Sequence, residues 1–258
     1  MLKKMVIKFC PNFTSRYQSF EDNEEGEIQV LESKSICLEH KINFDSEAIQ
    51  LKDDWGENER EINWWSESKT LEISYANISI GLLQRFYNVE VLLVYYDDKL
   101  MSLLSFSAYF QNLKVLKISD CYGLMKRLIM SSMTKSLVQL REMSIDGCGL
   151  LTEIVDNEGN ETTTEIVFNN LNKLSLEDLD CLTCFCSGNY SFNFLSLEEL
   201  IIDRCPNMKT FSLGSLNIPK LRNVHYRISW EDKMKLFEIG ENDLNTTIQQ
   251  ASKKRVCI

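Results

Sequence analysis

Apolar residues recur along the chain in a fixed pattern that alternates with polar residues. In Leu113 to Cys121 the apolar positions are the first, fourth and sixth of nine residues, and the ninth is a cysteine. The same pattern begins again at Leu140, Leu171, Leu197 and Leu221, at spacings of 24 to 31 residues. Self-similarity at this period indicates a chain of stacked repeats, each of which contributes one strand.

The alternation within each unit predicts which side chains are buried. A strand places successive side chains on opposite faces, so the fourth and sixth residues of a unit, such as Leu116 and Ile118, point to the same side. One repeat cannot bury them, but stacked repeats can. The sixth positions predict eight strands that run parallel in one curved sheet: Leu38, Ile73, Val94, Ile118, Ile145, Leu176, Ile202 and Tyr226.

The pattern therefore predicts an α/β leucine-rich-repeat solenoid, a curved horseshoe with a parallel β-sheet on the concave face and an irregular, short-helical convex side. Residues 1–30 have no sustained period and are expected to form a non-repeat, poorly ordered segment. Residues 31–227 hold about eight irregular repeats. Residues 228–258 are expected to form a C-terminal cap and basic tail, with helical spacing of apolar residues at 230–237 and again at 242–249.

The strand side chains that point away from the core are the candidate functional residues. They would project from a rigid sheet and present a set of varied groups to another protein. The predicted protein-binding face consists of Lys114, Lys117, Ser119, Arg141, Ser144, Asp146, Lys173, Ser175, Glu177, Glu199, Ile201, Asp203, Asn223, His225 and Arg227.

Charge and hydropathy narrow the class of partner. The chain has 38 acidic and 28 basic side chains and a net charge of −10, which argues against nucleic acid, because phosphate contacts need a positive surface. Lys8 interrupts the apolar residues between Met5 and Cys10, so a secretory signal is not expected, and no apolar run reaches the length of a membrane span. We therefore predict a cytoplasmic, intracellular protein.

The sequence shows no catalytic arrangement. The two histidines, His40 and His225, are far apart in sequence, and no Gly-x-Ser-x-Gly motif accompanies them. The ten glycines form no G-x-x-x-x-G-K-[ST] loop for a nucleotide phosphate. We predict that the chain is not an enzyme and has no catalytic residues, no cofactor and no metal site.

The cysteines are interpreted as structural. Cys121, Cys148 and Cys205 end the repeat pattern, where a small polar atom can bond the backbone of the turn. Cys181 to Cys186 contains a C-x-x-C, but no second C-x-x-C or H-x-H pair lies at a distance suitable for zinc. Nine cysteines in a chain of this length are compatible with a reducing compartment.

Two stretches resemble a known family. Leu197 to Lys209, which reads LEELIIDRCPNMK, and Asp243 to Gln249 are similar to the C-terminal leucine-rich-repeat region of plant coiled-coil NB-LRR disease-resistance proteins. The resemblance covers roughly residues 30 to 250. Extracellular plant repeats differ, because they carry N-x-L-x-G-x-I-P after the strand, which this sequence lacks.

The resemblance implies a protein–protein interaction module of an intracellular plant immune receptor. In that family the repeats restrain a nucleotide-binding switch and help sense effectors or modified host proteins. The implied partner is thus a pathogen effector, a guarded host protein or the nucleotide-binding domain of the same receptor. No coiled-coil or nucleotide-binding module is found here, so nucleotide binding is not expected. The alternatives are a stand-alone adaptor or decoy, or a truncated paralogue without an independent role.

Overall fold

The computed structural model describes residues 69–74, 88–96, 110–123, 126–156, 165–239 and 243–253, together with the backbone of three further strands nearer the N-terminus. The strands are β1 Lys4–Phe9, β2 Glu25–Glu32, β3 Lys34–Lys41, β4 Thr70–Ser74, β5 Val91–Tyr95, β6 Val115–Ser119, β7 Lys126–Met130, β8 Glu142–Asp146, β9 Leu151–Asp156, β10 Glu165–Val167, β11 Lys173–Glu177, β12 Cys184–Cys186, β13 Ser191–Asn193, β14 Glu199–Asp203, β15 Leu216–Asn217, β16 Asn223–Arg227 and β17 Lys235–Glu238. A 3-10 helix spans Ser131–Ser136, and helix α1 spans Leu244–Lys253.

One large sheet organises the molecule. Its eleven strands follow the order β17-β16-β14-β11-β8-β6-β5-β4-β1-β2-β3. From β1 to β16 every neighbouring pair is parallel. Between β11 and β14, and between β14 and β16, the described chain leaves the sheet, contributes short strands to the other sides of the coil and returns beside its predecessor, which confirms the predicted solenoid.

Two rows of apolar side chains run across the sheet and form one wall of the core. The first row is Leu71, Leu92, Leu116, Met143, Leu174, Leu200 and Val224, and the second is Ile73, Val94, Ile118, Ile145, Leu176, Ile202 and Tyr226. All fourteen side chains are at most 3% exposed. The two rows consist of the predicted fourth and sixth positions of the repeats. Each repeat buries these two side chains by stacking on the next repeat.

The N-terminal part of the sheet differs from the prediction. The strand that contains Leu38, β3, was predicted to be parallel, but it pairs antiparallel with β2, through Ile28 and Leu38 among others. A single residue separates β2 from β3, whereas parallel neighbours need a crossover of a dozen or more residues. The parallel neighbour of β4 is instead β1, which lies in the segment that was expected to be poorly ordered.

The other two sides of the coils consist of short strands. Strands β7, β9 and β12 form one parallel sheet, and β10, β13 and β15 form another. Among the residues described between the repeat strands, the only helical segment is the 3-10 helix Ser131–Ser136, and short strands form most of the remainder. The core beneath is aromatic: Phe185 stacks on Phe211 with ring centroids 4.7 Å apart.

The C-terminal end combines a strand and a helix. The prediction of a helix over residues 230–237 is wrong. Residues 235–238 instead form strand β17, which pairs antiparallel with β16 and completes the sheet. The second helical prediction is confirmed by α1, which buries Leu244 and Ile248. The Asn245 side chain accepts from the backbone N–H of Phe211 at 2.7 Å and donates to the Ser212 carbonyl at 2.9 Å. The predicted basic tail beyond residue 253 lies outside the described residues.

Candidate protein-binding face

The sheet register aligns most of the predicted face residues in rows. The middle row contains Lys117, Ser144, Ser175, Ile201 and His225. The row at the carboxyl ends of the strands contains Ser119, Asp146, Glu177, Asp203 and Arg227. In β6, β8 and β16 these residues alternate with fully buried ones, so both rows lie on the side of the sheet away from the core.

The amino-terminal row needs a correction. Lys173 and Glu199 pair in register, but Glu142 rather than Arg141 faces Lys173, and Val115 faces Glu142. Lys114 and Arg141 lie one residue earlier, where the N–H of Arg141 bonds the carbonyl of Lys114 at 2.7 Å. Lys114 and Arg141 are the second residues of their repeat units, whereas the strands begin at the third residue, the position of Lys173 and Glu199. Asn223 precedes Val224, which pairs with Leu200, so Asn223 belongs to the same row as Glu199.

Two predicted face residues are themselves buried. Ser175 is 2% exposed, and its hydroxyl donates to Glu177 Oε1 at 2.6 Å. Asp203 is 3% exposed. They hold neighbouring side chains in position, and the accessible surface of the face comes from the residues around them.

The amino-terminal edge of the face, called here the upstream edge, is a line of ion pairs. Glu90 lies between Lys69 at 3.0 Å and Lys114 at 2.6 Å. Lys114 and Lys69 both lower the pKa of Glu90 by hydrogen bonding and by their charge. Further along the edge, Lys117 pairs with Glu142 at 2.9 Å and Lys173 with Glu199 at 3.2 Å. Glu90, Glu142 and Glu199 are therefore each neutralised by at least one lysine.

The opposite edge, called here the downstream edge, is shaped by turns in which the backbone is left-handed. The residue after each of five strands has a φ between +50° and +64°; these residues are Tyr96, Asp120, Gly147, Asp178 and Arg204. Their N–H groups bond the last carbonyl of the next strand, as in Asp120 to Asp146 at 2.9 Å. The ladder therefore continues one residue past the strands and holds these turn residues in a row.

Acidic side chains dominate the downstream edge. Asp120, Asp146 and Glu177 come from the three adjacent strands β6, β8 and β11 or from the turns that follow them. Partial burial raises the pKa of the Asp146 carboxyl, and the negative charges of Glu177, Asp178 and Asp120 raise it further, against a smaller lowering by Arg204. The carboxylates thus repel one another across the edge.

Among the residues that the structure describes, arginines neutralise this edge at its C-terminal end alone. Arg204, which is 8% exposed, bonds both Asp178 and Asp203 through its guanidinium group. Arg227 bonds the same Asp203 carboxylate from the other side, with Nε 2.6 Å from Oδ1. The Trp230 ring lies 3.6 Å from the Arg204 guanidinium carbon and is itself 72% exposed. This cluster is a fixed ion-pair network with an aromatic cover.

Two exposed tyrosines lie beside the unneutralised part of the downstream edge. Tyr96 is 42% exposed and Tyr122 is 59% exposed. The Tyr122 hydroxyl donates to Asp120 Oδ1 at 3.2 Å, and the Asp120 charge raises the pKa of this phenol. The alternating strand pattern does not identify these two residues, because both lie in turns.

The cysteines are built into the turns, as predicted. The thiols of Cys121 and Cys148 each lie 3.4 Å from the carbonyl oxygen two residues earlier, and that of Cys205 lies 3.4 Å from the Leu176 carbonyl. Burial raises the pKa of Cys205 to about 12 and that of Cys186 to about 11, so both thiols are protonated at neutral pH. The part of the chain that the structure describes contains no group of three or more metal-ligating side chains.

None of the described helices is long and apolar enough to cross a membrane.

Comparison with known proteins supports the resemblance seen in the sequence. Residues 99–217 match the family model for the leucine-rich repeats of RPS2-like plant disease resistance proteins. No curated protein and no solved structure matches the chain. The matched segment contains strands β6 to β15 and the centre of the face described above. The match supports a protein-interaction role in plant disease resistance, because residues 99–217 resemble the leucine-rich repeats of RPS2-like plant disease resistance proteins.

Proposed function

We propose that the exposed side of the large sheet binds another protein during plant defence. The observation that carries this proposal is the register, which lines up side chains of different chemistry on a rigid parallel sheet. Lys117, Ser144 and Ile201 occupy equivalent positions on different strands and differ in charge, size and polarity. Such positions can vary without disturbing the buried rows, which suits a surface whose partners differ.

The partner we propose is a pathogen effector, a guarded host protein or the nucleotide-binding domain of a receptor to which these repeats belong. The matched family consists of plant disease resistance proteins, which supports this choice. Sensing of an effector or host protein and restraint of the nucleotide-binding switch would both use the exposed side of the large sheet. The proposed compartment is the cytoplasm, and the proposed role is binding rather than catalysis.

Site-specific photocrosslinking in plant cells tests the proposal. A photoreactive amino acid placed at Ser144 reports on the face, and one placed at the exposed Ser187, between β12 and β13, reports on another side of the coil. We expect one protein, identified by mass spectrometry, to be captured from Ser144 and not from Ser187. Alanine replacement of Lys117, Ile201 and His225 together should abolish its capture. Equal capture from both positions would contradict the proposal.

The length of the native product separates a receptor from the alternatives. An immunoblot of plant extracts that shows a protein several times larger than 30.0 kDa would identify these repeats as part of a receptor. A product near 30.0 kDa would favour a stand-alone adaptor or decoy, or a truncated paralogue.

A further inference from the structure

Both edges of the face contain several acidic side chains, but the two edges differ in how these are neutralised. On the upstream edge, Glu90, Glu142 and Glu199 each pair with at least one lysine within 3.2 Å. On the downstream edge, the described residues provide Asp120, Asp146 and Glu177 with a hydroxyl or backbone contact at most, and with no ion pair to a basic side chain. The negative charge of the face is therefore concentrated along one edge and over three adjacent strands.

The protein itself shows how this edge is neutralised where a cation is present. At its C-terminal end Arg204 and Arg227 bind Asp178 and Asp203, and Trp230 covers the Arg204 guanidinium. Of the three carboxylates before this point, Asp120 also has an aromatic neighbour, since Tyr122 lies beside it, and Tyr96 is exposed in the turn that follows the adjacent strand. Aromatic rings beside carboxylates favour the guanidinium and ammonium groups of a ligand.

We propose that the downstream edge of the face, from Tyr96 and Tyr122 through Asp120, Asp146 and Glu177, binds a short basic segment of a partner protein. This inference rests on the proposed function, which makes the sheet face the binding surface, and it specifies the chemistry of the partner. Arginine or lysine side chains would take the positions that Arg204 and Arg227 hold at the end of the edge.

The dimensions of the edge limit the length of the segment. Neighbouring strands lie about 4.8 Å apart, so the three carboxylates extend over roughly 10 Å. An extended chain covers this distance with about three to four residues. A segment with two or three basic side chains within four residues therefore matches the length of the edge. Its positive charges would offset the repulsion between the Asp146 carboxylate and its negatively charged neighbours. Nucleic acid, whose phosphates are negative, would be repelled.

Binding of a fluorescent hexa-arginine peptide to the full chain tests the inference by fluorescence anisotropy at several salt concentrations. The test variant combines Asp120→Asn, Asp146→Asn and Glu177→Gln. The matched control combines Glu90→Gln, Glu142→Gln and Glu199→Gln, which removes the same charge from the upstream edge. We expect the test variant to weaken binding about tenfold and the control to change it by about twofold or less.

Two further variants address the aromatic contribution. Tyr122→Phe keeps the ring and should bind the peptide as the unmodified chain does, whereas Tyr122→Ala should bind it about threefold more weakly. Thermal unfolding followed by circular dichroism must show that all variants are folded. Equal weakening by the two triple variants would show a response to net charge alone and would overturn the inference, as would unchanged binding in the test variant.

The crosslinking experiment separates a failure of this inference from a failure of the proposed function. If the partner is still captured from Ser144 in the test variant, and with undiminished yield, the face binds protein but the acidic edge does not select it. If no partner is captured from Ser144 in the unmodified chain while the peptide binds only the intact acidic edge, the proposed function fails and the charge selectivity stands.

Discussion

The upstream and downstream edges of the same sheet use charge in opposite ways. Upstream, lysines and glutamates from neighbouring repeats pair at the surface, and the side chain of Lys69 is 50% exposed while that of Lys173 is 37% exposed. Downstream, Asp203 and Arg204 form a buried pair, whereas Asp120, Asp146 and Glu177 form no described pair with a cation. Exposed pairs contribute little to stability, so the upstream ion pairs are expected to matter little for folding. The downstream edge contains both the structural pair and the charge available to a partner.

The largest expected effect comes from a substitution in the core, because unfolding of the repeats would disrupt both edges of the face. Leu116→Asp places a charge in the fully buried first row of the core, and we expect a loss of at least about 4 kcal/mol in the free energy of unfolding. Urea unfolding followed by circular dichroism measures it. Leu236→Asp is the control, because Leu236 is 58% exposed and the same change there should have little effect. A stability loss of similar size for both variants would contradict the assignment of the core.

The buried and exposed ion pairs can be compared directly. Arg204→Ala leaves Asp203 buried with only Arg227 as its partner, so we expect a loss of about 2–3 kcal/mol in the free energy of unfolding. Lys173→Ala breaks the exposed upstream pair with Glu199 and should cost less than about 0.5 kcal/mol. Urea titrations of both variants give the difference. If the two losses were equal, burial would not distinguish the edges.

The shape of the downstream edge depends on Gly147. Its φ is +64°, and a Cβ there would lie 2.6 Å from Asp120 Oδ1. Gly147→Ala should therefore lower the free energy of unfolding by about 1 kcal/mol and displace the Asp120 carboxylate, which weakens peptide binding as well. Gly149→Ala is the control, because a Cβ at Gly149 meets nothing within 4 Å. Unchanged stability in Gly147→Ala would mean that the turn tolerates a side chain.

The smallest expected effect concerns the pH dependence of stability. The folded pKa of Asp146 is raised above 3.8, so the folded state binds this proton more tightly than the unfolded state. Stability is therefore lost as the pH rises through the interval between 3.8 and the raised value. Asp146→Asn should gain about 0.5 kcal/mol or less at pH 7, because solvent screens a half-buried charge. The gain should disappear at a pH below 3.8 in parallel urea titrations; a gain that persisted there would contradict the electrostatic cause.

The amino-acid sequence determined the solenoid and its buried rows. Leu116 and Ile118 were identified from alternation alone, because a strand of period two must direct both to one side and stacking must cover them. The same reasoning identified Lys117, Ser144 and His225 as outward residues. It failed for Lys114 and Arg141, which lie just before their strands, and for Leu38, whose strand belongs to a hairpin.

Only the tertiary structure decided how the charges of the face are paired. The partners Lys114 and Glu90 are 24 residues apart in sequence, as are Arg227 and Asp203, and only the stacking of repeats brings them together. The left-handed turn at Arg204 likewise follows from the backbone ladder between strands, since an arginine has no preference for that conformation, whereas the aspartate at Asp120 tolerates it better. Sequence periodicity fixes what is buried within one repeat, whereas neutralisation of a charge depends on distances between repeats.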